Sequence, residues 1–151
     1  MLVLNRKLNE TYIPYGEKGA VSQFNLILQD NNSAGYGNAN MADRAAFKSS
    51  RAYSAIDWDL VDAYAKDKNV IEDVEVSIDT LQVLDVADLE KEIMKYAAQR
   101  KKIQAEISEL ETKRRAYKLN HTPESADQSL QQKIIQTIKK QAKSRGFEVL
   151  D

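Results

Sequence analysis

An all-α fold is predicted by three features of the chain. Only 2 prolines and 5 glycines interrupt its 151 residues. Few runs alternate polar and apolar residues as half-buried strands do. One segment, from Asp88 to Leu119, repeats apolar positions at alternating spacings of four and three over about four heptads. The architecture expected from these is a single module, a helical bundle built on a long-helix αα-hairpin, with an irregular or short extended connector around 69–86. Its parts are N-terminal helices over 1–53, a tryptophan helix with an acidic connector over 54–87, the long hairpin over 88–145, and a tail over 146–151.

The first element is a short helix from Leu2 to Tyr12, closed by "YIPYG", where Pro14 and Gly16 act as a stop. From about Gly19 an apolar pattern runs through Val21, Phe24, Ile27 and Leu28, then weakens across "DNNSAGYGNANMADRAAF". Gly35 and Gly37 each cost about 1 kcal/mol relative to alanine inside a helix, so a break or a close helix contact is expected there. The small residues Ala34, Gly35, Gly37, Ala39, Ala42, Ala45 and Ala46 would admit a neighbouring helix. "GYGNAN" lacks the third glycine and the preceding strand of a dinucleotide-binding loop.

A helix of about ten residues is expected from Asp57 or Trp58 to Lys66, by its apolar spacing. Trp58, Val61 and Tyr64 recur along it and, with Leu60, form its apolar face. Asp57 is placed as N-cap, and Asp59 lies in the first turn, where the helix dipole favours negative charge. Asp59 and Asp62 share a face, the arrangement a metal or acid–base site would use. Calcium, however, needs about six to eight oxygens, which two monodentate carboxylates do not supply. The carboxylates are therefore read as structural. "NVIEDVEVSIDTLQVLDVADLE" alternates loosely and forms the connector.

The heptad seam consists of Leu89, Ile93, Tyr96, Arg100, Ile103, Ile107, Leu110, Arg114 and Tyr117. Two arginines on the seam weaken a free two-stranded coiled coil and suit a helix packed in its own chain, with arginine stems covering apolar surface. "NHTPESAD" turns the chain at Pro123. A last helix from Ser125 to Ser144 carries Leu130, Ile134, Ile135, Ile138 and Ala142 on one face, Gly146 ends it, and "FEVL" trails as a tail. The sole histidine, His121, has no second histidine or cysteine for a zinc site, and its proximity to Ser125 and Asp127 is that of a capping turn rather than a catalytic pair.

Charge is unevenly distributed. Residues 57–90 hold 11 acids and 2 bases, whereas 91–145 hold 14 bases and 6 acids. The two stretches are expected to face each other, which makes nucleic acid a less economical partner for "RKK" at Arg100–Lys102 and "KRR" at Lys113–Arg115. Pairs such as Glu109–Lys113 and Glu111–Arg115 would neutralise part of the basic surface. The absence of cysteine removes disulfides and thiolate metal sites. No apolar run is long enough to cross a membrane, and "MLVLNRKLNE" is charged too early for a signal-peptide core.

"MLVLNRKLNE" resembles the start of the carbon storage regulators, small RNA-binding β-proteins. That likeness ends at Glu10, where helical sequence follows, and RNA binding is not expected from it. A longer likeness covers most of the chain. "LNRKLNETYIPYG", "FKSSRAYSAIDWDLVDAY", "RKKIQAEISELETKRRAY" and "LQQKIIQTIKKQAKSRGFEV" occur in this order. Together they resemble the region that follows the A domain in bacterial proteins containing a von Willebrand factor type A domain. Tyr12, Pro14, Tyr15 and Gly16 match the first motif of that region, and Trp58–Asp62 match the second. Arg114 and Tyr117 match the third, and Gln141, Ala142, Gly146 and Phe147 match the last.

The adhesion-site pattern Asp-x-Ser-x-Ser of the A domain itself is missing, and "DQSLQ" at Asp127 has only its first serine. The chain therefore reads as the helical C-terminal part of such a protein without its A domain. The resemblance implies a non-catalytic accessory or interaction domain whose partner is the parent's A domain or another protein, and an envelope or secreted location if the parent is exported. No cofactor and no metal are expected, and a monomer is favoured. The expected structural or partner anchors are Tyr12, Pro14, Tyr15, Gly16, Trp58, Leu60, Val61 and Tyr117. A nucleic-acid binder using the basic hairpin is one rival function, and two others compete as well. One is a self-associating coiled-coil scaffold using the Leu89–Tyr117 seam, and the other is a small metal- or acid-dependent hydrolase using Asp57, Asp59 and Asp62.

Overall fold

The structure, a computed structural model, describes residues 1–72, 74, 76, 78–121 and 130–146. It is all-α. In chain order the elements are α1 (Leu2–Asn9), α2 (Gly19–Gly35), α3 (Asn38–Lys48), α4 (Leu60–Lys66), a 3-10 turn at Lys68–Ile71, α5 (Asp79–Gln82), α6 (Val86–His121) and α7 (Leu130–Ser144). The expected turn at Pro123, the helix start at Ser125 and the "FEVL" tail lie outside the described residues. The chain divides into two compact units, Met1–Lys113 and Arg114–Asp151.

In the first unit α1 ends at Asn9, short of the expected Tyr12, because the next residues serve another purpose. Thr11 to Pro14 are buried, and their backbone pairs with the approach to α4. The Tyr15 N–H donates to Trp58 O at 3.0 Å and the Leu60 N–H donates to Ile13 O at 2.8 Å, the bonds of an isolated antiparallel bridge between Pro14 and Asp59. Tyr15 makes a second such bridge to Val76. Gly16, at φ 63°, then turns the chain in a left-handed conformation that glycine adopts without steric cost.

The expected break between the second and third helices falls at Gly37, whose φ of 109° would strain any residue with a Cβ. Beyond it Met41, Ala42 and Ala45 are buried, and α3 contacts both α1 and α2, so of the expected small residues Ala42 and Ala45 face neighbouring helices, whereas Ala34, Gly35 and Ala39 are exposed. The apolar pattern of α2 does not become core. Leu26 is its buried large residue, while Val21, Phe24, Ile27 and Leu28 are all exposed.

The tryptophan helix starts later than expected, at Leu60, and Asp59 rather than Asp57 is its N-cap. The reason is the bridge to Pro14, which holds Asp59 extended at φ −112° and ψ 117°, so helical geometry cannot begin before it. The connector that follows is a chain of short turns, and Val70, Ile71, Val74, Val76, Ile78, Leu81 and Leu84 line an apolar cluster around Ile13, Leu60 and Ile93.

A second cluster holds Leu8, Tyr12, Leu26, Ala55 and Ile107. Helix α6 serves both clusters from one row of its seam. Ile93, Arg100 and Ile107, seven residues apart, are each 5% exposed or less. Further along, Leu110 and Tyr117 are exposed, so the seam is buried through Ile107 and open beyond it. The second unit comprises the last turns of α6 and α7, where Ile134, Ile135 and Ile138 are exposed and Tyr117 stacks on His121 with ring centroids 4.0 Å apart. Among the described residues no helix is long and apolar enough to cross a membrane.

Candidate functional site

Chemistry-bearing side chains gather where α1, α4 and α6 meet, around Arg100. This arginine is at a core position of α6, with apolar clusters on either side. Its guanidinium is buried and must find partners for five N–H groups, since an unpaired buried donor costs on the order of 1–3 kcal/mol. It finds all five. Nε donates to Thr11 Oγ1 at 3.0 Å, Nη1 to Asp59 Oδ2 at 2.5 Å and Asp62 Oδ1 at 2.6 Å, and Nη2 to Asp59 Oδ1 at 3.2 Å and to the Thr11 carbonyl.

Asp59, itself fully buried, is saturated in the same way. Its Oδ1 also accepts from the Ile13 N–H at 2.8 Å, and its Oδ2 from the Asp62 N–H at 3.1 Å, the N-cap bond of α4. The second oxygen of Asp62 accepts from the Ala55 N–H at 3.2 Å. The two ion pairs of Arg100 thus fix the chain after α1, the segment before α4, the first turn of α4 and the middle of α6.

Tyr12 covers this group. Arg100 lies 4.4 Å from its ring centroid, a cation–π distance. Its other neighbours are Trp58 at 5.2 Å and Tyr53, edge-on, at 6.4 Å. Burial, with Tyr53 adding to it, holds the Tyr12 phenol far above the ordinary tyrosine range. Burial also pushes Asp59 up, against the pull of Arg100 and the Ile13 N–H. Burial works against the charge of Arg100, but Asp59 and Asp62 outweigh it and hold the guanidinium above its usual value.

Near Tyr12, with Lys48 Nζ 6.0 Å from its ring centroid, lies a second buried network, which no sequence pattern announces. The Nζ of fully buried Lys48 donates to Asp30 Oδ2 at 2.8 Å, to Asn5 Oδ1 at 3.0 Å and to Asn9 Oδ1. The amides of Asn5 and Asn9 donate to the same Asp30 oxygen at 2.6 and 2.7 Å, and Arg44 Nε donates to the other at 2.5 Å. Burial alone would raise Asp30, but Lys48, Asn9 and Asn5 overcome it and hold the carboxyl below its ordinary value. Burial holds Lys48 below the usual lysine range.

A cavity of about 220 Å³ opens beside Tyr12, Lys48, Tyr53, Asp62 and Arg100. The two buried cations on its wall are those already paired. Among the described residues no buried side-chain nitrogen or oxygen lacks a partner, and no three of histidine, aspartate and glutamate converge as a metal ion would require.

The structure brings together most of the anchors expected from sequence. Tyr12, Pro14, Leu60 and Val61 are buried in the clamp and the clusters beside it. Tyr15 donates its hydroxyl to Ile56 O at 2.7 Å, and Trp58 is half-buried against Tyr12. Gly16 supplies the turn. Tyr117 is not in this group and belongs to the second unit. Asp57, the expected cap, is exposed, while Asp59 and Asp62 face Arg100. The expected Glu109–Lys113 pair forms at 2.6 Å.

Arg100 was legible only as a seam position, and its charge was the signal that a buried acid had to face it. Comparison of the chain with protein-family models, with curated proteins and with solved structures gives no match in any of the three.

Proposed function

We propose that this chain is a non-catalytic accessory domain of the kind that follows a von Willebrand factor type A domain, supporting that domain or offering it and other proteins a binding surface. The observation that carries the proposal is the closure of the Arg100 clamp. A general base needs a free lone pair within reach of a substrate proton, and all four acceptor positions of Asp59 are taken by Arg100, Ile13 and Asp62. Two of the three carboxylates that a hydrolase would use, Asp59 and Asp62, accept from the backbone N–H groups of Ile13, Asp62 and Ala55. Two of the four motifs behind the resemblance, around Tyr12–Gly16 and Trp58–Asp62, are the segments that this clamp joins, which makes them a structural signature.

The test is a calorimetric titration of the chain with the A domain of a bacterial protein that carries the four motifs in the same order. Saturable one-to-one binding, accompanied by a rise in the thermal midpoint of the chain, is the expected result. No heat and no shift would overturn the proposal. Saturable uptake of calcium, magnesium or manganese in the same instrument would replace it with the hydrolase built on Asp57, Asp59 and Asp62.

A further inference from the structure

Helix α2 presents an apolar stripe that nothing in its own unit covers. Its inward side carries Gly19, Leu26 and Asp30, the buried residues of the helix. The opposite side exposes Phe24 by 65%, Val21 by 62%, Leu28 by 46% and Ile27 by 45%. Scattered exposed apolar residues are ordinary, but a contiguous group on one helix face marks an interaction surface. Val21, Phe24, Leu28, Asn31 and Gly35 follow one another at spacings of three, four, three and four, which is a coiled-coil seam about 21 Å long.

Charge narrows the choice of occupant. From Gly19 to Ala42 the one charged residue is Asp30, and it is turned inward onto Lys48 and Arg44. A helix that lies on an anionic lipid surface carries lysine or arginine along its flanks, and this one has none. A charged protein partner would find nothing to complement. Depletion of charge around an aromatic and aliphatic centre is instead the composition of a protein interface core, and an uncharged face can meet a copy of itself without repulsion.

Shape points the same way. Bulk lies at the N-terminal end of the stripe, in Val21 and Phe24, and the C-terminal end carries Asn31 and the side-chain-free Gly35. A Cβ built on Gly35 meets nothing within 4 Å, so the space above it is open. In an antiparallel pair centred on Leu28, Val21 of one copy falls opposite Gly35 of the other, and Phe24 falls between Asn31 and Gly35.

We infer that two copies of this chain associate through α2, antiparallel about a twofold axis at Leu28, with each Val21 over the partner's Gly35 and each Phe24 between the partner's Asn31 and Gly35. Such a self-complementary contact closes at two subunits. This route to self-association is separate from the α6 seam, and it does not depend on the accessory reading above.

The experiment is size-exclusion chromatography with light scattering on the full chain across micromolar to sub-millimolar loading, with two variants. The wild type is expected to approach twice its 17.1 kDa chain mass as concentration rises. Phe24→Glu introduces a charge at an exposed position, and Gly35→Leu fills the receiving space. Each is expected to weaken the dimer at least tenfold while the helical circular dichroism of the monomer is kept. A wild type that stays at 17.1 kDa throughout overturns the inference, as does a dimer that either variant leaves intact.

Discussion

Arg100 and Asp59 are each buried with every hydrogen-bonding position filled, so the balance between burial and pairing decides what each is worth. Removing one partner of a buried pair strands the other charge and costs about 3–5 kcal/mol. Arg100→Met is therefore expected to lower the unfolding free energy by about that amount, measured as a shift of the urea midpoint at constant slope. Adding Asp59→Asn to that variant should recover part of the loss, because the stranded carboxylate is then neutral. A double variant no more stable than Arg100→Met alone would contradict the pairing. Heptad spacing indicated that position 100 is buried, and residue type indicated that it is charged. The partner could not be read locally, because Asp59 lies 41 residues away on another element. Lys48 and Asp30 were harder still, since a single lysine on α3 and a single aspartate on α2 carry no periodic signal that they are interior.

Boundaries between elements were legible where glycine or proline sets them and illegible where tertiary pairing does. The break between α2 and α3 fell at the glycines that announced it. The start of α4 was displaced by the backbone bridge between Pro14 and Asp59, a contact over 45 residues of sequence that no capping rule includes. The two glycines at the first of these boundaries should respond to the same substitution in opposite directions. Gly35 is helical with open space around its Cβ position, so Gly35→Ala is expected to stabilise by about 0.5–1 kcal/mol through helix propensity. Gly37, at φ 109°, would hold alanine in a region that L-residues avoid, and Gly37→Ala is expected to destabilise by about 1–3 kcal/mol. Thermal midpoints of the two single variants measure both. A rise in the midpoint of Gly37→Ala would show that the chain does not turn at Gly37.

For the molecule as a whole, the expectation that acidic and basic stretches face each other has its buried link, among the described residues, at Arg100. Asp59 and Asp62 from the acidic stretch meet Arg100 from the basic one, whereas Lys91, Lys95 and Lys113 pair with acids of α6 itself. Exposed intrahelical pairs add little, so moderate salt should shift the unfolding midpoint only slightly, while buried groups govern the response to pH. Burial raises Tyr12, Tyr53 and Tyr15 above the ordinary tyrosine value. In the unfolded chain these phenols ionise near pH 10. Above that pH the unfolded state has lost protons that the folded state retains, so stability falls as pH rises, by up to about 1.4 kcal/mol per pH unit for buried Tyr12 and by less for the more solvent-screened Tyr53 and Tyr15. Lys48 acts in the opposite sense, because its lowered value lets the folded state release a proton first, but that contribution ends once the unfolded lysine has titrated near pH 10.5. Urea midpoints are thus expected to drop steeply from about pH 10 upward, and Tyr12→Phe, which keeps the ring over Arg100 and removes the ionising group, should flatten the drop relative to wild type. An unchanged alkaline slope in that variant would mean that Tyr12 ionises as readily in the fold as out of it, and that the ring covering the Arg100 clamp is open to water.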